Sequence, residues 1–331
     1  MNHHGARAAV PVALALLALG LLLVAVGAAV GSAGWEPLWS ADGTPASAVL
    51  WEIRLPRTLG AWLAGALLGL AGAVAQGIFR NPLADPYLLG SATGAGLGVA
   101  LLLALMGVSP LAAAGWPGRL GLAGAGFAGA VLAVLLTLAL AKGVQHTLRL
   151  LLAGVIVGMV LGAIASLVMF WVPAVLRAMQ SFLLGTTGLL GWPSVSLLAV
   201  VLVAGLVASL AFSRSLDALS LGEDTAASLG VALAPVRAAL IGVMALATGA
   251  AVAQVGLIAF VGLVAPHLVR AATRATARWL LPLSALTGGA LLLAADVLAR
   301  GLLAPQELPV GVLTAVLGGG YLLWLMHRRP A

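Results

Sequence analysis

The sequence predicts an all-α, polytopic membrane protein of about ten transmembrane helices, and three observations predict it. Of its 331 residues 63% are apolar and only 8% charged, where a soluble domain carries roughly 25%. The mean hydropathy is +1.17, so most of the chain must face lipid or other apolar helices. The 16 basic and 9 acidic residues also divide the chain into long charge-free stretches, each a candidate span.

The first stretch, between Arg7 and Glu36, holds an apolar run well beyond the roughly 7–15 residues of a secretory signal core. It is read as a retained first helix. His3 and His4 ahead of it read as a solvated tail rather than metal ligands. Arg57 to Arg80 supplies the second span, in which Gly65 and Gly69 lie four apart and let backbones approach closely. Asp85 to Arg119 and Arg119 to Lys142 give the third and fourth, and Arg149 to Arg177 the fifth, with Gly154, Gly158 and Gly162 at the same spacing. This glycine series reads either as close helix packing or as the lining of a wide pathway. Arg177 to Arg214 gives the sixth span.

Arg237 to Arg270 is too long for one crossing: about 32 residues would run roughly 48 Å as a helix, against a hydrocarbon thickness of about 30 Å. It contains Gly249, Gly256 and Gly262 and reaches Pro266. A break between Gly249 and Gly256 would make two short spans of it. Arg278 to Asp296 and Glu307 to Arg328 complete the series. The positive-inside rule arbitrates between nine spans and ten, because one extra span flips the side of everything after it. Ten spans with both termini inside place 11 basic residues in the cytoplasm and 5 outside. Nine spans erase that bias, so ten is the expectation.

The chemistry the sequence lacks is equally informative. No Cys is present, which removes disulfides and thiolate sites. No GxxxxGK[ST] loop occurs, and the single Lys, Lys142, is followed by Gly143, so the chain cannot be its own ATPase. HExxH, GxSxG and paired catalytic carboxylates are missing too. No catalytic residue, metal site or cofactor is expected. Ion-coupled carriers keep an ionisable group within the membrane, whereas here the acids lie in loops or near span ends. The most embedded is Asp296, which caps its helix or pairs with Arg300 at i+4. Gln76 and Gln254 are explained by interhelical hydrogen bonds, and Trp171 and Trp192 by an interfacial belt. The net charge of +7 is a topology signal here, and no nucleic-acid partner is expected.

Two polar segments stand out. Between the sixth and seventh spans, residues 213–237 form an elbow of two short amphipathic stretches, around Asp217–Leu221 and Glu223–Leu229, separated by Gly222. Glu223 and Asp224 sit in the first turn of the second stretch, where acids suit the helix dipole. The repeated Leu216, Leu219, Leu221 and Leu229 suit an elbow that docks on something. At the other side, Arg54 and Arg57 precede the second span and Arg300 ends the ninth, against the positive-inside bias. Snorkelling to lipid headgroups and docking of an acidic partner through bidentate pairs both account for them.

The run from Ile53 to Gly96, IRLPRTLGAWLAGALLGLAGAVAQGIFRNPLADPYLLGSATGAG, resembles the permease subunits of bacterial ABC importers for iron–siderophore, haem and cobalamin complexes. LRLLLAGV (148–155), LGEDTAASLGV (221–231), GLIAFVGLVAPHLVR (256–270) and ELPVGVLTAVLGGGYLLWL (307–325) continue the resemblance over nearly the whole chain. It implies a type II ABC importer permease fold and a single transmembrane domain over residues 1–331. It also implies a homodimer in the inner membrane with the pathway on the two-fold axis, two cytoplasmic ATPase subunits that bind the ATP, and a periplasmic or lipid-anchored binding protein. On this resemblance Leu219, Leu221, Gly222, Glu223, Asp224, Ser228 and Leu229 couple to the ATPase, and Arg54, Arg57 and Arg300 dock the binding protein. The pathway and gate would take in Thr147, Leu148, Gly154, Gly158, Gly162, Gly311 and Thr314, the gate lying in the loop from Gln145 to Arg149. Iron chelates are the first expected cargo, with cobalamin and haem as alternatives. An ATP-independent channel, a secondary carrier and a structural scaffold are the competing classes.

Overall fold

A computed structural model describes residues 3–31, 34–35, 46–106, 116–141, 143 and 147–328. Lys142 and the first two residues of the expected gate loop, Gln145 and His146, lie outside them.

Helix α1 (His3–Ala29) leads into a two-residue antiparallel ladder, Val30–Gly31 with Gly34–Trp35, in which Val30 pairs with Trp35. A turn of helix α2 (Ala46–Val49) widens through a π-helical turn (Leu50–Arg54) into α3 (Leu55–Phe79). Pro56 sits at the start of α3, where a missing N–H costs nothing. There follow α4 (Ser91–Leu105), α5 (Trp116–Leu140), α6 (Thr147–Trp171), α7 (Pro173–Leu184) and α8 (Trp192–Ala211). The elbow consists of α9 (Ser213–Ser220) and α10 (Glu223–Ser228), and the chain continues through α11 (Leu233–Val255), α12 (Val261–Ala272), α13 (Ala277–Gly301) and α14 (Val310–Arg328).

Among the described residues seven helices are long and apolar enough to cross a membrane: α1, α3 with its π-helical turn, α5, α6, α8, α11 and α13. The remaining three expected spans fall on the shorter apolar helices α4, α12 and α14. Helix α12, with 12 residues, rises only about 18 Å. The long charge-free stretch does break, at the far edge of the expected window: α11 runs through Gly249 to Val255, and Gly256 takes φ +70°. Helix α7 is absent from the sequence expectation, in which Arg177 bounds two spans.

Helix α3 is the axis of the molecule, with 89% of its most apolar window buried, against 11% for α1 and 22% for α6. It packs along α13, α11, α12 and α8. Small residues set how close it comes: a Cβ on Gly65 would collide with the Gly288 carbonyl, and one on Gly69 with the Ser284 carbonyl. Buried Ala64, Leu67, Leu68 and Leu292 fill the same seam.

Gly65→Ala must therefore move backbone against backbone, and we expect it to lower the thermal midpoint of detergent-solubilised protein, an overpacking cost of about 1–3 kcal/mol. Gly124→Ala on α5, where a Cβ meets nothing within 4 Å, is the control and should leave the midpoint level or higher. Equal midpoints for the two variants would refute this account of the seam.

Candidate functional site

One end of the bundle carries the elbow. Helix α9 is amphipathic and turns Leu216 and Leu219 into the core, where they are 5% and 1% exposed. Asp217 accepts the Ala277 N–H at 2.8 Å, capping the start of α13. Gly222, at φ +118°, reverses the chain between α9 and α10, a conformation only glycine adopts without strain. The carboxylate of Glu223 is then held from three sides. Arg237 of α11 pairs with it at 2.7 Å and Arg80, just past α3, at 3.2 Å. The Thr147 hydroxyl, at the first residue of α6, donates to it at 3.1 Å. Arg237 also donates to Thr147 Oγ1 at 3.3 Å and is itself buried. These partners hold the Glu223 carboxyl below the usual carboxylate range, Arg237 contributing most.

The expected elbow residues thus divide by direction. Asp224, Ser228, Leu221 and Leu229 face outward, the two leucines 66% and 63% exposed. Glu223 faces inward, with Leu219.

At the opposite end, Asp296 of α13 is fully buried and gathers a network. Arg300 pairs with it at 2.7 Å and Arg57 at 3.2 Å, while Thr187 donates its hydroxyl to it. Arg300 also donates to the carbonyls of Gly27 at 2.9 Å and Val30 at 2.7 Å, tying the end of α1 to α13. Arg57 reaches on to Glu307 at 2.9 Å. Of the two readings of Asp296, the i+4 pair with Arg300 is the one present, as one contact of several.

Arg300, expected at the docking face, lies inside this network. Its side chain is 1% exposed, with the guanidinium spent on internal acceptors. Arg57 is 12% exposed and doubly paired. Arg54 is half-buried, its guanidinium against Gly31. Beside it Trp51 and Trp192 form a ring pair at 5.0 Å, and the Trp192 indole N–H donates to the Trp51 carbonyl.

Of the pathway candidates, Gly154, Gly158, Gly162, Gly311 and Thr314 turn toward neighbouring elements, while Leu148 is open. Gly154 lies against the Leu88 carbonyl, and Gly158 and Gly162 face Thr93 of α4, so the glycine series is a packing seam. Gly311 is wedged against the Leu184 and Leu257 carbonyls, and Thr314 bonds back to Gly311. The open faces are apolar instead: Leu148, Leu152, Ile156 and Met159 on α6, and Val312, Val316 and Leu323 on α14. Sequence reasoning misses the site roles of Arg80 and Arg237, which it reads only as markers of sidedness, whereas Gln76 makes the interhelical bond expected of it, donating to the Leu263 carbonyl at 3.1 Å, and also accepts from Arg270.

Residues 12–328 match the FecCD transport family. The chain belongs to that family. Among curated relatives it is similar to the hemin transport system permease protein HmuU of Yersinia pestis, 38% identical over 96% of this chain and 95% of the relative. It is equally similar to the vitamin B12 import system permease protein BtuC of Salmonella paratyphi A, 40% identical over 95% and 94%. Among solved structures, an inward-facing conformation of a metal-chelate type ABC transporter superposes with a TM-score of 0.82 at 27% identity, over 97% of this chain and 100% of the other. As a FecCD permease the chain is a multi-pass inner-membrane transport subunit of the ABC importers that carry hemin, vitamin B12 or metal chelates.

Two outcomes follow from the two ends. Asp296→Ala leaves two guanidiniums facing each other in a buried site and should cost about 3–5 kcal/mol. Glu307→Ala, at the exposed end of the same network, should cost about 1 kcal/mol or less. Comparable thermal midpoints would overturn the network's assignment. At the elbow, a lowered carboxylate pKa makes the Glu223 pairings fully present above the ordinary carboxylate range and lost as pH falls through the lowered value. Hydrogen exchange of the α10 amides, corrected for intrinsic rates, should thus rise on acidification, and Glu223→Gln should exchange fast at every pH. A parent profile flat in pH contradicts this.

Proposed function

We propose that two copies of this FecCD permease form the pathway of a binding-protein-dependent importer, with the elbow end in the cytoplasm against two ATPase subunits. Support for this sidedness comes from charge. The elbow end carries Arg80, Arg149, Arg214, Arg237, Arg270, Arg274 and Arg278, the side on which basic residues accumulate. The end of α1 and Glu307, just before α14, meet the Asp296 network at the opposite end, which supports cytoplasmic termini. The observation that carries the coupling reading is the outward face of α10, where exposed Leu221 and Leu229 flank Asp224. A soluble partner with an apolar groove and a basic rim fits that face.

The cargo we propose is an iron chelate, and hemin is the first compound to test. The transport subunit of similar length in Yersinia pestis bears that name. Cobalamin is the second reading, favoured by the 40% identical relative named for vitamin B12. The open faces of α6 and α14 bear few polar groups, which suits a passage that holds a large chelate loosely and leaves selection to the binding protein. On the outer face Arg54 with the Trp51–Trp192 pair is the proposed docking edge.

The test is reconstitution in proteoliposomes with an ABC ATPase and a substrate-binding protein of the same importer, offering hemin, a ferric siderophore and cobalamin. We expect uptake of an iron chelate that requires ATP and the binding protein. Flux without ATP would establish a channel or secondary carrier instead. Arg54→Glu should weaken binding-protein docking about tenfold in a salt-sensitive way, with uptake reduced in parallel.

A further inference from the structure

We propose that Glu223 is a positioning residue that transmits movement of the elbow to the first turn of α6, rather than a contact with the ATPase. This rests on the coupling role of the elbow proposed above and divides that elbow into two working faces. The outward face, Leu221, Asp224 and Leu229, receives the partner. The inward face, the Glu223 carboxylate, passes the displacement on.

Four observations carry it. The carboxylate lies between Arg237 of α11, Arg80 after α3 and Thr147 of α6, at 2.7, 3.2 and 3.1 Å. Arg237 closes the triangle by donating to Thr147 at 3.3 Å. Helix α10 itself has six residues and packs on α9 and α11, and the hydrogen bond of its Glu223 carboxylate with Thr147 links it to α6. Its ends are Gly222 at φ +118° and Gly230 at φ +81°, which gives a short rigid rod between two hinges. Finally, α6 is packed along one face, where Gly154 meets Leu88 and Gly158 and Gly162 face Thr93, and its other face is open, so a displacement at its first turn can turn the helix about that seam. Thr147 turns its hydroxyl to the elbow while the adjacent Leu148, 70% exposed, continues into the open face of Leu152, Ile156 and Met159. A shift of Glu223 by one side-chain contact therefore reorients that face.

An ionic link suits the task. It tolerates small changes of geometry better than a packed apolar contact, and it lies at the aqueous end of the bundle, where its formation needs no charge in hydrocarbon. The charge of Glu223, more than its shape, makes the link, because Arg237 and Arg80 both approach the same oxygen.

The experiment compares the complete importer in proteoliposomes as parent, Glu223→Gln, Thr147→Val and Thr147→Ser, measuring ATPase co-purification, ATP hydrolysis and cargo moved per ATP. Glu223→Gln should retain the ATPase subunit at parental stoichiometry and hydrolyse ATP, while cargo moved per ATP falls about tenfold, within the usual range for a coupling free energy. Thr147→Val should fall in the same direction, and Thr147→Ser, which keeps the hydroxyl, should return toward parental coupling. Loss of the ATPase subunit from Glu223→Gln would make Glu223 an interface residue and overturn the proposal. Parental coupling in Glu223→Gln overturns it as well. If Glu223→Gln does not fold, the Thr147 pair decides, and equal coupling in its two variants is refutation. Absence of ATP-dependent uptake by the parent importer fails the function proposed above, a result distinguishable from any of these.

Discussion

Inside a bilayer no water is available to satisfy an amide, and every other feature of this chain is arranged around that constraint. Continuous helices meet it at no cost, and the sequence supplies them wherever its charges are far apart. The revealing place is the interruption between α11 and α12, where Gly256 to Phe260 leave the helical path. The unwound groups find partners in neighbouring elements. The Phe182 carbonyl accepts Leu257 N–H at 2.9 Å and the Tyr87 hydroxyl donates to the Ile258 carbonyl at 3.1 Å. Farther along, Gln76 reaches the Leu263 carbonyl. Helix α7 thus supports the break, the carbonyl of Phe182 near its C-terminus accepting an amide that the break exposes.

Much of the fold could be read from charge spacing, because an ionised side chain within hydrocarbon is costly and so charges mark the ends of spans. The broken long stretch was legible for the same reason, with length exceeding the bilayer and glycine available. Helix α7 was not, because a single Arg177 in an amphipathic helix looks the same as one in a loop. The glycine series on α6 illustrates the limit at the site. Spacing of four says that something comes close to that face, but not whether it is a neighbouring helix or a cargo. The contact with Leu88 and Thr93 decides that, and it lies some sixty residues away in sequence.

Arg57, Arg300 and Glu223 mark a second limit. Sequence position puts Arg57 and Arg300 at span ends and Glu223 in the elbow, but the direction of a charged side chain depends on what stands opposite it. Arg300 turns inward because Asp296 is one helical turn away and the carbonyls of Gly27 and Val30 accept its guanidinium. Glu223 turns inward because two arginines and a hydroxyl converge on it. The elbow's leucines show the same principle from the apolar side, Leu216 and Leu219 completing the core while Leu221 and Leu229 remain open.

The two ends consequently bear different kinds of electrostatics, and the difference suits their tasks. The network around Asp296 is enclosed, with a fully buried acid bound to α13 and α3 and its Arg300 partner bound to α1, so removing one partner strands a charge. Such a cluster fixes three helices relative to one another. The triangle around Glu223 is partly open, its carboxylate 29% exposed, and water can take over any contact that lengthens. Exchange with water keeps the cost of rearrangement small. A permease driven mechanically from one side needs a rigid reference at one end and a compliant link at the other, and the chain places the enclosed network away from the elbow and the solvated one beneath it.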